Sequence, residues 1–298
     1  MASFFDEISR NRIKSFLLLV VFFLLFTGVI FVLTLFLGLG IYGLIIAAPI
    51  VAIYALIAYF MGGRVVLAIS GAQKADPKQY HYLYDIVEGM ALASQIKMPD
   101  IYIINDQNPN AFATGRDKKH ASIAVTTGLL AIMDKRELQG VIAHEMSHVA
   151  DNDIKFMLIA VVFAGVIGLV AALFRGLFFF GGFRGGGRNA GLIELIALAI
   201  GLLAPLFALL LRLAISRRRE YMADANGGRI TRDPQSLASA LVKIRDYTKT
   251  PQARPVARAN DMTASLYFAN PLRGSSVVNL FSTHPPIDDR IKKLQQMY

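Results

Sequence analysis

The chain of 298 residues contains no cysteine. A disulfide framework, a thiolate metal site and a thiol nucleophile are therefore all excluded. Any metal has to be held by imidazole and carboxylate groups, and histidine itself is scarce, at five copies. Charge is missing over long stretches. Ser15 to Gly63, Phe156 to Phe174 and Leu195 to Leu211 hold no Asp, Glu, Lys or Arg, in runs of 49, 19 and 17 residues. Elsewhere charged residues make up about 24%, the density of ordinary water-soluble protein. The pattern is that of a soluble domain fused to membrane spans, which excludes a purely cytosolic enzyme and a disordered protein. The net charge of +10 comes with no base-reading motif, so no nucleic-acid partner is implied. Lys and Arg instead collect beside the apolar runs, as they do on the cytoplasmic flank of membrane helices.

About 20 apolar residues cross a bilayer, so the first run holds two crossings with a turn at Gly38, Gly40 and Gly43. This predicts spans near 15–37 and 41–61, a third over 156–174 or on to 180, and a fourth over 191–211. Glu194 lies in the first turn of the fourth, where a carboxylate suits the helix N-terminus and the interface. The loop containing Gly181, Gly182 and Gly185 to Gly187 has no strand and no Lys-Ser/Thr pair, which excludes a phosphate cradle. Arg10, Arg12, Lys14, Arg64, Lys74, Arg212 and Arg217 to Arg219 flank the spans. Four crossings then leave both termini and both polar segments in the cytoplasm. The expected organisation is an N-terminal hairpin (1–63), a first half-domain (64–155), a second hairpin (156–211) and a second half-domain (212–298).

In the first half-domain, apolar spacing predicts a helix over 78–95, and strands are expected at 100–105, 111–114 and 122–126. Asp134 followed by Glu137 resembles a capping box opening a helix over 135–150. In the second, helices are expected at 217–225, 233–248, 261–268 and 286–296. The proline-containing stretch 250–258 reads as a mobile loop.

On the helix after Asp134 stands His144-Glu145-Met146-Ser147-His148. Histidines four apart share one helical face and can hold one ion, and the intervening carboxylate can reach water beside it. The bland alternative is a pair of surface histidines around a helix carboxylate. A catalytic zinc site needs a third protein ligand and an open position. Glu220 and Asp224, one turn apart in Arg219-Glu-Tyr-Met-Ala-Asp224, can supply that ligand and a hydrogen-bond acceptor for the far ring nitrogen of His144 or His148. Alternatively they form an acidic pair on a solvated helix. His148 lies eight residues before the third span and Glu220 nine after the fourth. At 1.5 Å per residue each stands about 12 Å from the bilayer edge on the same side.

Four motifs, Asn110-Ala-Phe-Ala-Thr-Gly115, His144-Glu-Met-Ser-His148, Arg219-Glu-Tyr-Met-Ala-Asp224 and Ser282-Thr-His-Pro-Pro286, together with span order, make the whole chain resemble the HtpX-type membrane zinc metalloproteases. That family is kin to the CAAX prenyl endoprotease and to mitochondrial quality-control proteases. The resemblance implies a mainly α membrane protein with about four transmembrane helices and an α+β zincin-like (gluzincin) protease domain with a small sheet. It implies one Zn2+ per chain on His144, His148 and Glu220, with Glu145 as general base and Asp224 as orienter. It implies an enzyme of the cytoplasmic membrane that cleaves damaged or misfolded membrane proteins under stress. Asn110 and His284 are expected to flank the site, where an amide or imidazole can stabilise an oxyanion. A turn Asn and a helix-capping His are the plainer readings. Ala111, Phe112 and Ala113 are expected to form an edge strand that accepts substrate backbone. One departure is Asp151-Asn152-Asp153, where such proteins usually carry Asn at the first position.

Two rivals remain open. One is an intramembrane protease with its motif inside a span, which the charges at 134–137 and at Asp151 and Asp153 oppose. The other is a membrane scaffold with a structural metal. His81 and His120 read as surface residues. The sequence specifies no oligomeric state.

Overall fold

The computed structural model describes residues 41–155, 157–158, 217–259, 266–269 and 285–297, with Val20, Leu24, Thr27 and Phe31. The expected first, third and fourth spans, Glu194, the glycine-rich loop and His284 lie outside the described residues, apart from those single positions and Met157 and Leu158. By its internal contacts the chain divides into two units, Met1–Met61 with Val162–Leu211, and Gly62–Val161 with Arg212–Tyr298.

In the first unit, helix α1 (Tyr42–Ile69) begins. Its stretch Ala48–Ile69 has a mean hydropathy of 2.0 and is the one helix among the described residues long and apolar enough to cross a membrane. Ile45, Ile53, Leu56 and Phe60 are each more than half exposed, an arrangement that water disfavours and lipid does not. The helix runs eight residues past the expected end at 61. The reason is a change of face: beyond Met61, Val66, Leu67 and Ser70 are buried, so packing continues what hydrophobicity began.

The second unit holds a four-stranded sheet in the order β1-β2-β4-β3. The strands are β1 (Ala72–Lys74), β2 (Asp100–Ile104), β3 (Ala111–Gly115) and β4 (Ala121–Thr126). β2 and β4 are parallel, while β1 and β3 run antiparallel to their neighbours, which leaves β3 at an edge. Around the sheet lie α2 (His81–Ser94), α3 (Thr127–Ile132), α4 (Lys135–Ala150), α5 (Arg217–Thr231), α6 (Pro234–Thr248) and α7 (Ile287–Gln295). β1 and α3 had no signal in the sequence pattern, being three and six residues long.

Helix α4 is the axis of this unit. Asp134 accepts from the Glu137 amide and Glu137 accepts from the Asp134 amide, both at 2.9 Å, closing the capping box. Glu137 also takes Ser239 (2.7 Å) and Lys243 (2.5 Å) of α6, so one buried carboxylate starts α4 and ties it to its neighbour. Leu138, Val141, Ile142 and Met146 of α4 then pack with Ile123 and Val125 of β4, Leu83 and Ile86 of α2, and Leu237 and Leu241 of α6. Burial of a helix on all sides makes every side chain it carries rigidly placed.

Three expectations are corrected. Helix α5 continues six residues past 225, through Gly227 and Gly228. Stretch 250–258 is anchored: the Arg254 amide donates to Asn108 (2.9 Å) and the Ala257 amide to Asp106 (2.7 Å). Residues 266–269, expected as the end of an α-helix, form a tight turn against the sheet. The Phe268 amide donates to the Ala111 carbonyl at 2.7 Å and the Ala269 amide to Asn110 Oδ1 at 3.2 Å.

Candidate active site

Helix spacing on α4 puts His144 and His148 one turn apart, and the two Nε2 atoms face each other at 3.2 Å. Helix α5 crosses α4 and brings Glu220, whose oxygens lie 3.5 Å from His148 Nε2 and 3.9 Å from His144 Nε2. The crossing depends on Gly227. A Cβ there would lie 3.1 Å from the His144 nitrogen, so a side chain would press the two backbones apart by a few tenths of an ångström. His144, His148 and Glu220 are all buried and offer donor atoms within 4.8 Å of one another, and they form the one such group found among the described residues.

The distal ring nitrogens are held by two carboxylates. Asp224 lies 2.9 Å from His144 Nδ1, one turn along α5 from Glu220. Asp153 lies 3.2 Å from His148 Nδ1. Sequence reasoning anticipated Asp224, without deciding which histidine it serves, and missed the part of Asp153. The signal lies in the backbone: Asn152 adopts φ 60°, a left-handed turn that swings Asp153 back under the helix it follows. Both carboxylates fix the tautomer that leaves Nε2 free for an ion.

Glu145 points to the sheet, where the Ala113 amide of β3 donates to its carboxylate. Burial, with Glu220 adding to it, pushes Glu145 up to about 7 against the pull of His148. For His144, burial outweighs Asp224 and brings it down to about 4. His148 is opposed by burial but raised to about 9 by Asp153, Glu220 and Glu145. Burial pushes Asp224 up, yet the Arg290 guanidinium and His144 hold it below the usual carboxylate range.

Arg290 is the residue the sequence reading missed altogether. It sits in α7, 2% exposed, and donates from Nε and Nη2 to both Asp224 oxygens at 2.8 and 2.7 Å. Nη1 donates to the Phe268 carbonyl at 2.8 Å and lies 3.7 Å from Glu220. Its signal was a cation on the buried face that Ile291 and Leu294 otherwise form.

Of the other expected site residues, Ala111, Phe112 and Ala113 do form an edge strand, but a buried one. Asn110 spends its side chain on residues 266–269: Nδ2 donates to the Ala269 carbonyl (2.9 Å) and Oδ1 accepts from the Ala269 amide (3.2 Å). Phe268 then stacks edge-on to His144, with centroids 4.9 Å apart. His284 lies outside the described residues. His120 is exposed and paired with Asp117, away from this group.

These residues fit a zinc ion. Tetrahedral zinc with bonds of about 2.0–2.2 Å needs donors roughly 3.3–3.6 Å apart; the two Nε2 atoms at 3.2 Å and His148 with Glu220 at 3.5 Å meet this, and one donor atom from each residue lies within 4.8 Å of the others. The donor set agrees, since two imidazoles and a carboxylate are ordinary zinc ligands, and Asp224 and Asp153 stand behind the two rings.

The sequence pattern of peptidase family M48 matches residues 77–298. The chain belongs to that family. It is a zinc metalloprotease with a single metal site. The M48 match covers the described elements from the turn before α2 to the end of α7. Over 294 residues the chain is 44% identical to the protein named protease HtpX homolog of Caldanaerobacter subterraneus subsp. tengcongensis, covering 97% of this chain and 96% of that one. It is 42% identical to the protease HtpX homolog of Streptococcus thermophilus, covering 98% and 99%. The crystal structure of S. mikatae Ste24p is similar with a TM-score of 0.46 and 18% identity, over 82% of this chain and 56% of that chain.

Proposed function

We propose that this peptidase is a multi-pass protein of the cytoplasmic membrane that cleaves damaged or misfolded membrane proteins at the cytoplasmic surface. The observation that carries the reading is the convergence of His144, His148 and Glu220 from α4 and α5 beside a carboxylate anchored to an edge strand. Charge-free runs before and between the two halves of the metal-binding unit, and the exposed apolar face of α1, support four spans with both termini and the site on one side. The two half-domains, 64–155 and 212–298, then form one catalytic body interrupted by a membrane hairpin.

In this reading His144, His148 and Glu220 hold the zinc. When bound, the ion supplies Lewis-acid polarisation of the scissile carbonyl and of the attacking water. Glu145 accepts a proton from that water and passes it to the leaving amine. Its Ala113 hydrogen bond keeps the carboxylate against β3, so the base and the strand that receives substrate are positioned together. By alternation in the β3–β4 ladder, the Ala113 carbonyl and the Gly115 backbone groups turn away from β4, toward the side on which an extended chain would add. Asp224 and Asp153 orient the imidazoles. The Asn110 amide is committed to Ala269, which leaves the oxyanion to His284.

The test is an assay on an unfolded protein in detergent, with wild type and Glu145→Gln, each with added zinc and with chelator. Wild type should cleave only with zinc. Glu145→Gln should retain zinc and lose cleavage by about 100-fold or more. A fully active Gln variant removes the proposed base, and chelator-insensitive cleavage removes the zinc chemistry. Binding of zinc without cleavage by wild type would favour the scaffold reading.

A further inference from the structure

Arg290 is buried among side chains that all serve the metal site. Its planar guanidinium meets Asp224 in a two-point contact, Nε to Oδ2 at 2.8 Å and Nη2 to Oδ1 at 2.7 Å. Asp224 in turn lies 2.9 Å from His144 Nδ1. The remaining donor holds the Phe268 carbonyl, and the Arg290 head sits 4.8 Å over the Phe268 ring, the same ring that stacks on His144. Thus Arg290 meets His144 directly, Nη2 lying 3.4 Å from Nδ1, and also reaches it through a carboxylate and through an aromatic wall. A buried cation on an apolar helix face is uncommon unless paired, and here the pairing is complete on three of its nitrogens.

We propose that Arg290 is a positioning residue for zinc binding, fixing Asp224 so that His144 presents Nε2 to the ion. This rests on the zinc site described above. A carboxylate with two free rotamers could serve His144 or turn toward Glu220; a two-point clamp leaves one orientation. Lysine could supply the charge but not the fork. Because α7 carries Arg290 four residues after Pro286, its position couples this helix to His144 on α4, 146 residues away.

The experiment measures zinc dissociation constants by chelator competition on the full-length protein in detergent. It compares wild type, Arg290→Met, Arg290→Lys, Asp224→Asn and the double variant Asp224→Asn/Arg290→Met. Arg290→Met should weaken zinc by about 10–100-fold, the usual effect of losing an outer partner of a metal ligand. Arg290→Lys should fall between it and wild type. The double variant should bind as Asp224→Asn alone does, because the arginine acts through that carboxylate. Cobalt-substituted protein gives a second readout: its visible absorption should change in Arg290→Met as it does in Asp224→Asn. Wild-type affinity in a folded Arg290→Met overturns the proposal, and so does a loss that simply adds in the double variant. If Arg290→Met fails to fold, the double variant, which leaves no lone buried charge, and Arg290→Lys decide between the same outcomes. Failure of wild type to bind zinc would instead overturn the site assignment itself.

Discussion

Asp151 stands at the C-terminal end of α4, where a helix dipole disfavours negative charge. Its carboxylate accepts from Asn226 at 3.2 Å, but burial, and then Asp153, push it up to about 6. A carboxyl raised on folding is held more tightly as the acid in the native state than in the unfolded one. Its contribution to stability is therefore fullest below about pH 4 and is lost as pH rises to about 6. The shift of roughly two units corresponds to about 3 kcal/mol, reduced to about 1–2 kcal/mol by the partial exposure of the side chain. Asp151→Asn should thus be more stable by about 1–2 kcal/mol at pH 8. At pH 4.5 the gain should shrink to a few tenths. Urea unfolding of chelated protein at both pH values measures this, and an equal gain at both would assign the effect to something other than ionisation.

Among the elements, α5 shows how a helix can be placed by what it lacks. Alanine in a helix interior ordinarily favours the helix over glycine by about 1 kcal/mol. At Gly227 the added Cβ would lie 3.1 and 3.2 Å from His144 N and Cα, backbone atoms that cannot swing away. Gly227→Ala should therefore destabilise by about 1–3 kcal/mol and weaken zinc, since α5 must move with Glu220 and Asp224 on it. Gly89→Ala in α2, where no atom comes within 4 Å, should stabilise by about 0.5–1 kcal/mol and leave zinc alone. Thermal unfolding and metal titration of the pair give the contrast; similar behaviour of both would refute close backbone approach as the cause. The same glycines mark the limit of what periodicity could tell. Helix α4 was legible from Asp134 to Ala150 because its cap, its apolar spacing and its two histidines are local. The length of α5 was not, since Gly227 and Gly228 look like a stop until α4 is known to lie across them. Strand β2 alternates in the sequence and β3 and β4 follow as short apolar runs, whereas β1 is three residues paired with β2. The histidine pair His144 and His148 could be read from spacing and Glu220 from the family resemblance, but Asp153 and Arg290 reach them through a left-handed turn and a distant helix, which no local pattern encodes.

For the molecule as a whole, the metal site joins segments that the chain keeps apart. His148 and Glu220 stand 72 residues from one another, yet their donor atoms lie 3.5 Å apart. Without a metal ion the fold still crowds Glu145, Asp153, Glu220 and Asp224 together beside Arg290 and Arg219. An ion that binds only where α4 and α5 are docked stabilises the docked state by mass action. At free zinc a hundredfold above its dissociation constant the gain is about 2.7 kcal/mol. For a domain of this size that raises the melting temperature by roughly 5–10 °C. Detergent-solubilised protein stripped with chelator should therefore melt lower than loaded protein. Its midpoint should climb with the logarithm of free zinc and not respond to magnesium, which prefers all-oxygen ligands in octahedral array. Glu220→Ala should lose most of the zinc-dependent rise while folding in its absence, because it removes a ligand together with one of the crowded charges. If stripped and loaded wild type melt at the same temperature, the three donors do not share an ion, and the docking of α4 against α5 rests on Gly227 and the surrounding core alone.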